Sequence, residues 1–394
     1  MALRLPVYLD NHATTQPDPR VVDAMLPFLR EHYGNAASKQ HEYGWIAEAA
    51  VELARAQVAS LLGATAREVT FTSGATESIN LALKGIAEAY AGKGKHIVTA
   101  ATEHRAVLDT CRSLERAGFS VTYVPVGPDG LISAEALANA VSTSTILVSI
   151  MAANNEIGTI APLREIGSLC RERRILFHTD ATQAVGKIPL AVSDLPVDLM
   201  SFSAHKMHGP KGVGGLYVRA SQPAIRIVPH IDGGGHESGL RSGTLDVPGI
   251  VGFGKAAEIA KREMGVDMER VQKLRDRLHE GLRSRIDGIR LNGHPALRLP
   301  NNLNVVIPGT RSDRVMMDLK SDVAVASGSA CSSASPEPSH VLRALGMRDS
   351  DVRASLRFGL SKFTTEEEIE YAIERVAGVV RAHRASLSSL EVVH

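Results

Sequence analysis

The chain has 394 residues, 44% of them hydrophobic and 22% charged, with 44 Lys plus Arg against 43 Asp plus Glu. That length holds roughly two to three domains with a sizeable buried core, and a net charge of +1 excludes the basic stripe of a nucleic-acid binder. The three cysteines, Cys111, Cys170 and Cys331, form no CxxC pair, which excludes a disulfide framework or a zinc ribbon and points to a reducing compartment. The opening MALRLPVYLD lacks the apolar run of a signal peptide, and no stretch of about 18 apolar residues occurs, so a cytoplasmic protein without membrane contact is expected.

A helix is expected over 43–62, with Ile46, Ala50, Leu53, Ala54, Val58 and Leu61 on one face. A strand at 68–72 precedes a helix at 78–90, and a strand at 95–100 precedes a helix at 106–118. Further strands are expected at 120–126, 145–151, 175–180 and 198–203, with a helix at 162–174 between two of them. Strands separated by helices of this length imply βαβ units and a largely parallel sheet. From about residue 245 the pattern changes to one long charged helix. Strands at 303–307 and 355–360 and a helix at 313–320 follow. A final helix opens on Thr365 and Glu368, spaced as a capping box. The domain boundary is placed near residue 260, inside the long helix.

Several segments carry chemistry. In SFSAHKMHGPKGVGG, Lys206 follows a strand and precedes a Gly-rich turn, where open α/β sheets place ligands and where a lysine could form a Schiff base. In FTSGATESIN, a strand, a turn and a helix make a phosphate seat of free N–H groups, although a plain turn with Thr76 as N-cap fits the same residues. Asp180 ends a strand in HTDATQAVGK; it suits a protonated ring nitrogen, and equally an N-cap. Cys331 sits among Ser, Ala and Gly in ASGSACSSAS, a setting for an exposed nucleophile on a mobile loop or for an incidental cysteine. His104 could stack on a ring or shuttle a proton, and Arg357, inside an apolar strand, needs an anionic partner.

Together and in this order, YLDNHATT, GNAAS, TSGATESINLA, TEHRAVLDTC, NNEIG, DATQAVGK, SFSAHK, GGGHESGLRSGT, SGSACSS and RFGLSKFTTEEEI resemble the cysteine desulfurases of the NifS/IscS type, class V of the fold-type I pyridoxal-phosphate enzymes. The resemblance spans essentially the whole chain and is strongest to the housekeeping iron–sulfur-cluster group. It implies an α/β fold: a mainly parallel seven-stranded sheet flanked by helices in a large domain, residues 14–260, plus a smaller α+β domain, residues 1–13 and 261–394, carrying the Cys331 loop. It implies pyridoxal 5'-phosphate held by Lys206, with His104 against the ring, Asp180 at the ring nitrogen and Gln183 at the phenolic oxygen. Ala75, Thr76, Ser203 and His205 would take the phosphate, and Thr244 the phosphate of the other protomer of a homodimer. Asn155 and Arg357 would bind L-cysteine, and Cys331 would receive its sulfur. The sulfur would pass to an iron–sulfur scaffold, a tRNA-thiolation relay or another acceptor, and Cys331 would ligate a cluster iron only transiently. The chain departs from the family pattern at His12 and Gln16 and in a shorter tail after residue 385. A selenocysteine lyase and a cofactor-binding platform of a cluster-assembly complex are the alternative readings.

Overall fold

The computed structural model describes residues 3–327 and 338–391, with side chains to 385. Cys331 lies outside the described residues. The strands are β1 (Val7–Tyr8), β2 (Val69–Thr72), β3 (His96–Ala100), β4 (Ser120–Val124), β5 (Thr145–Ser149), β6 (Leu176–Asp180), β7 (Leu199–Ser203), β8 (Gly214–Val218), β9 (Arg290–Leu291), β10 (Asn302–Val306), β11 (Val323–Ala324) and β12 (Ser355–Gly359). The helices are α1 (Pro19–Arg30), α2 (Glu42–Leu62), α3 (Ala75–Tyr90), α4 (Arg105–Arg116), α5 (Ala134–Ala140), α6 (Leu163–Glu172), α7 (Val247–Arg283), α8 (Ser312–Leu319), α9 (His340–Ala344), α10 (Asp349–Arg353) and α11 (Glu366–Glu391).

The main sheet has seven strands in the order β2-β8-β7-β6-β5-β3-β4. All its pairings are parallel except those of β8, which runs antiparallel to β2 and β7. Strands β2, β3, β5 and β7 are buried along their whole length, their Thr, Ser and His residues included, as strands of a sheet covered by helices should be.

Strand β8 has no expectation from the sequence, because Gly214 and Gly215 read as part of a turn. The two glycines are instead packing devices. A Cβ on Gly214 would lie 2.6 Å from Cα of Gly74, and one on Gly215 would lie 2.7 Å from the Phe202 ring. The close approach at Gly214 brings the start of α3 onto the end of the sheet.

Helix α2 is also offset from its expected face. Ala47, Val51, Ala54, Val58 and Leu62 are buried, whereas Leu53 is 62% exposed. The buried stripe follows contact with the first half of α7, one position away from the stripe of largest side chains. The capping box of α11 forms as expected, with the Thr365 amide on Glu368 at 2.9 Å and the Glu368 amide on Thr365 Oγ1 at 3.2 Å.

Helix α7 serves two apolar clusters. Ile250, Phe253, Ala257 and Ile259 join the cluster beneath the main sheet. Val271, Leu274, Leu278 and Leu282 join a second one, with Val7, Leu9, β10, β12 and α11. The short N-terminal strand thus belongs to the C-terminal cluster, β1 pairing with β11. The chain then crosses back to the main sheet through residues 10–18.

Candidate active site

The parallel strands end on one side of the sheet, and the turns that leave them line a cavity of about 400 Å³. Strand β2 delivers residues 73–77, β3 delivers His104, β5 delivers Met151, Ala153 and Asn155, β6 delivers Asp180 and Gln183, and β7 delivers Ser203, His205 and Lys206. Carboxyl ends of parallel strands are where such sheets bind ligands. Arg357 closes the cavity from β12, the edge of a separate three-stranded sheet ordered β12-β10-β9 in the C-terminal part, and His12 and Ala13 close it from the crossing segment.

Each side chain is held by local structure. Helix α3 begins at Ala75 with no side-chain cap, so its first N–H groups and its dipole face the cavity. Asp180 Oδ1 accepts from the Thr182 amide at 3.0 Å and the Thr182 hydroxyl at 2.5 Å, and no hydrogen bond among the described residues engages its other oxygen. His104 is the N-cap of α4, its Nδ1 accepting from the Ala106 amide at 3.1 Å. The neutral ring then carries its hydrogen on Nε2. The turn holding Asn155 is built by Asn154, whose Oδ1 accepts from the amides of Glu156 and Ile157 and whose Nδ2 reaches the Thr102 carbonyl.

Lys206 is buried, and its Nζ donates to the carbonyls of His12 at 2.5 Å and Ala13 at 2.6 Å. Arg357, 1% exposed, donates from Nη2 to Asp10 at 2.8 Å and from Nη1 to the Asn155 carbonyl at 2.9 Å. His205 Nδ1 lies 3.1 Å from Thr14 Oγ1, and burial, aided by Lys206 and Lys211, pulls the ring down to about 4. Lys187, behind Gln183, is fully buried and pulled down to about 7 by that burial and by the charges of Lys206 and Arg357.

Of the residues singled out in the sequence, the structure brings Ala75, Thr76, His104, Asn155, Asp180, Gln183, Ser203, His205, Lys206 and Arg357 to this one cavity. It does not bring Thr244 there: Thr244 is exposed, in the turn before α7. Three neighbours had no role assigned from sequence. His12 is buried against Gln183, Asp10 pairs with Arg357, and Lys187 bonds to Gln183. Lys187 left a sequence signal, standing four residues after Gln183 in DATQAVGK, and His12 stood out as a departure from the family pattern without a role attached to it.

A buried imidazole and a half-buried one predict a pH dependence of stability. His178, between Ser149 and Ser201 hydroxyls, is pushed down to about 3 by burial, and His208 is pushed to about 4 for the same reason. An unfolded histidine binds a proton near 6.5, so between about pH 4 and 6.5 the unfolded chain holds protons that the folded one does not. Stability is therefore expected to rise with pH through that window, read as the urea midpoint. A midpoint that falls or stays flat there contradicts neutral burial.

The chain belongs to the class-V aminotransferase family, whose model matches residues 7–372. Within that family it is similar to a cysteine desulfurase IscS of Anaeromyxobacter sp. (strain Fw109-5), 54% identical over 391 residues, 99% of this chain and 96% of that one. Among solved structures it is similar to a NifS-like protein, 41% identical with a TM-score of 0.89, covering 95% of this chain and 99% of that one. It is also similar to SspA in complex with cysteine, 35% identical with a TM-score of 0.80, covering 91% of this chain and 99% of that one.

The residues present fit pyridoxal 5'-phosphate, the cofactor of this family. An uncapped helix start offers N–H donors to a phosphate, a buried carboxylate keeps an oxygen for a ring nitrogen, and a buried lysine stands at the end of β7.

Proposed function

We propose that this cavity is where the protein, a pyridoxal-phosphate-dependent cysteine desulfurase, removes sulfur from L-cysteine, with Lys206 as the cofactor-bearing and proton-transferring base. The observation that carries this reading is the meeting of Lys206, Asp180 and Arg357, from three separate strands, in one cavity.

The bound cofactor supplies an electron sink for charge developed at the substrate Cα. The amides of Ala75 and Thr76, with Ser203 and His205, would hold its phosphate. Asp180 would face its ring nitrogen, Gln183 its phenolic oxygen and His104 its ring. Arg357 would take the substrate carboxylate beside Asn155, and Lys206 would move the Cα proton. The thiolate of Cys331 would attack the substrate sulfur. The C–S bond breaks, an S–S bond forms, and the three-carbon fragment takes a proton to become alanine, so that cysteine plus one thiol gives alanine plus one persulfide.

Mass conservation gives the test. Purified protein with pyridoxal phosphate should show a visible cofactor band and form alanine and sulfide in equal amounts from L-cysteine with a reductant. A band without alanine would indicate a different reaction of the same cofactor.

Arg357→Ala should raise KM for L-cysteine about 10- to 100-fold, the value of a charge-assisted bond to a carboxylate. An unchanged KM would remove Arg357 from substrate binding.

Residues 14–260 form, in this reading, the cofactor-binding unit, and 1–13 with 261–394 the smaller one; the division of apolar clusters along α7 supports it. The exposed position of Thr244 supports a homodimer in which it serves the other protomer's phosphate. The persulfide sulfur would go to an iron–sulfur scaffold or another acceptor. A cytoplasmic location accords with there being, among the described residues, no helix long and apolar enough to cross a membrane.

A further inference from the structure

A chain of polar side chains runs from the C-terminal sheet to Gln183 on the cavity wall, and its members other than Gln183 have no role in the chemistry above. Arg298, Asn302, His12, Gln183 and Lys187 compose it, and none is more than 6% exposed. Each link has only one possible direction. A guanidinium only donates, so the Asn302 atom 3.0 Å from Arg298 Nη2 is the oxygen Oδ1. The other end of that amide is then Nδ2, which donates to the Glu156 carbonyl at 3.1 Å and meets His12 Nε2 at 3.1 Å. Nε2 must accept, so the ring hydrogen sits on Nδ1. Nδ1 lies 3.0 Å from Gln183 Oε1, which also accepts from Lys187 Nζ at 3.0 Å. Gln183 Nε2 gives one hydrogen to the His12 carbonyl at 3.0 Å and keeps the second for the cavity that Gln183 lines.

We propose that His12 is a positioning residue: as a neutral Nδ1–H imidazole, its own direction fixed by Arg298 and Asn302, it donates to Gln183 Oε1 and, together with Lys187 and the His12 carbonyl, holds the Gln183 amide rigidly with an N–H toward the cavity. The cavity then receives an amide N–H at this position, not a carbonyl oxygen. The inference rests on the reading of Gln183 as the partner of the cofactor's phenolic oxygen. A reversed amide would set two acceptors against each other there.

The surroundings keep the ring neutral. Burial acts first, and the basic groups facing His12, Lys187 from the turn after β6, Arg357 from β12 and Lys206 from the end of β7, act in the same direction. Protonating the ring would also set an N–H on Nε2 against the Asn302 donor.

The test is a double-mutant cycle on the holoenzyme, read as the pH midpoint of the visible cofactor band. His12→Leu should raise that midpoint by about half a pH unit or more, because a phenolate with a weaker donor favours the protonated form. In a Gln183→Ala background the same substitution should add no shift. A wild-type midpoint in His12→Leu, with or without lower thermal stability, overturns the proposal, as does an equal shift in both backgrounds. Neutron diffraction of the unmodified, deuterium-exchanged protein gives a second readout that needs no variant. Deuterium on Nδ1 alone is expected, and deuterium on Nε2 overturns the chain. Should the unmodified protein form no cofactor band, the reading of the cavity fails, while the diffraction result still decides the His12 tautomer.

Discussion

Lys206→Ala should yield a folded protein with no covalently held cofactor and no alanine formation from L-cysteine. Proton transfer by a placed side chain contributes about 10²- to 10⁴-fold to a rate, and this variant loses it together with the anchoring of the cofactor. The loss cannot be made up from nearby. Lys187, behind the cavity, is tied to Gln183 Oε1, and Lys211, which lines the cavity, is exposed in the turn before β8, away from the end of β7. Removing Lys206 also leaves the His12 and Ala13 carbonyls without its amine, so a modest fall in thermal stability should accompany the loss. The measurements are the visible spectrum after removal of free cofactor and the alanine assay. A variant that retained both the band and turnover would take Lys206 out of the mechanism.

Cys331→Ser should keep the visible band and still respond spectrally to L-cysteine, yet form no persulfide, with turnover lower by about 10³-fold or more. Of the three thiols, the other two are unsuited to the role. Cys111 is 0% and Cys170 1% exposed, on α4 and α6, and burial pushes each thiol up to about 12. At neutral pH such groups hold almost no thiolate, and the thiolate is the nucleophile. Neither lines the cavity. The check is mass spectrometry of the protein after one equivalent of L-cysteine, looking for the gain of one sulfur atom on the peptide containing Cys331. A sulfur found on Cys111 or Cys170, or persulfide formed normally by the variant, would assign the acceptor elsewhere.

Much of this site could be read along the chain, because its parts are local. A strand followed by Gly74 and an amphipathic helix shows in the sequence as a candidate phosphate seat. Asp180, Gln183 and Lys206 stand at or just past strand ends, and the short runs ILFHTD and DLMSFS, with their Ile, Leu, Met and Phe, show in the sequence. The expected parallel sheet likewise follows from strands alternating with helices of suitable length.

The remainder depends on contacts between residues far apart in sequence. Gly214 and Gly215 look like a turn until Gly74 and Phe202 are found against them, where only a missing Cβ allows strand β8 to form. Leu53 looks like core by size, but α7 covers the neighbouring face of α2. Asp10 lies 347 positions from Arg357, and Asn302 lies 290 from His12.

The sequence by itself, through short motifs whose joint order resembles a known family, thus indicated the cofactor class, most of the strands and helices and most cavity residues, since each motif rests on residues within a few positions of one another. Only the tertiary structure decided which buried polar groups are paired and in which direction each hydrogen bond runs. Burial removes water as an alternative partner, so the direction of every bond must be settled by the donors and acceptors that the fold places alongside.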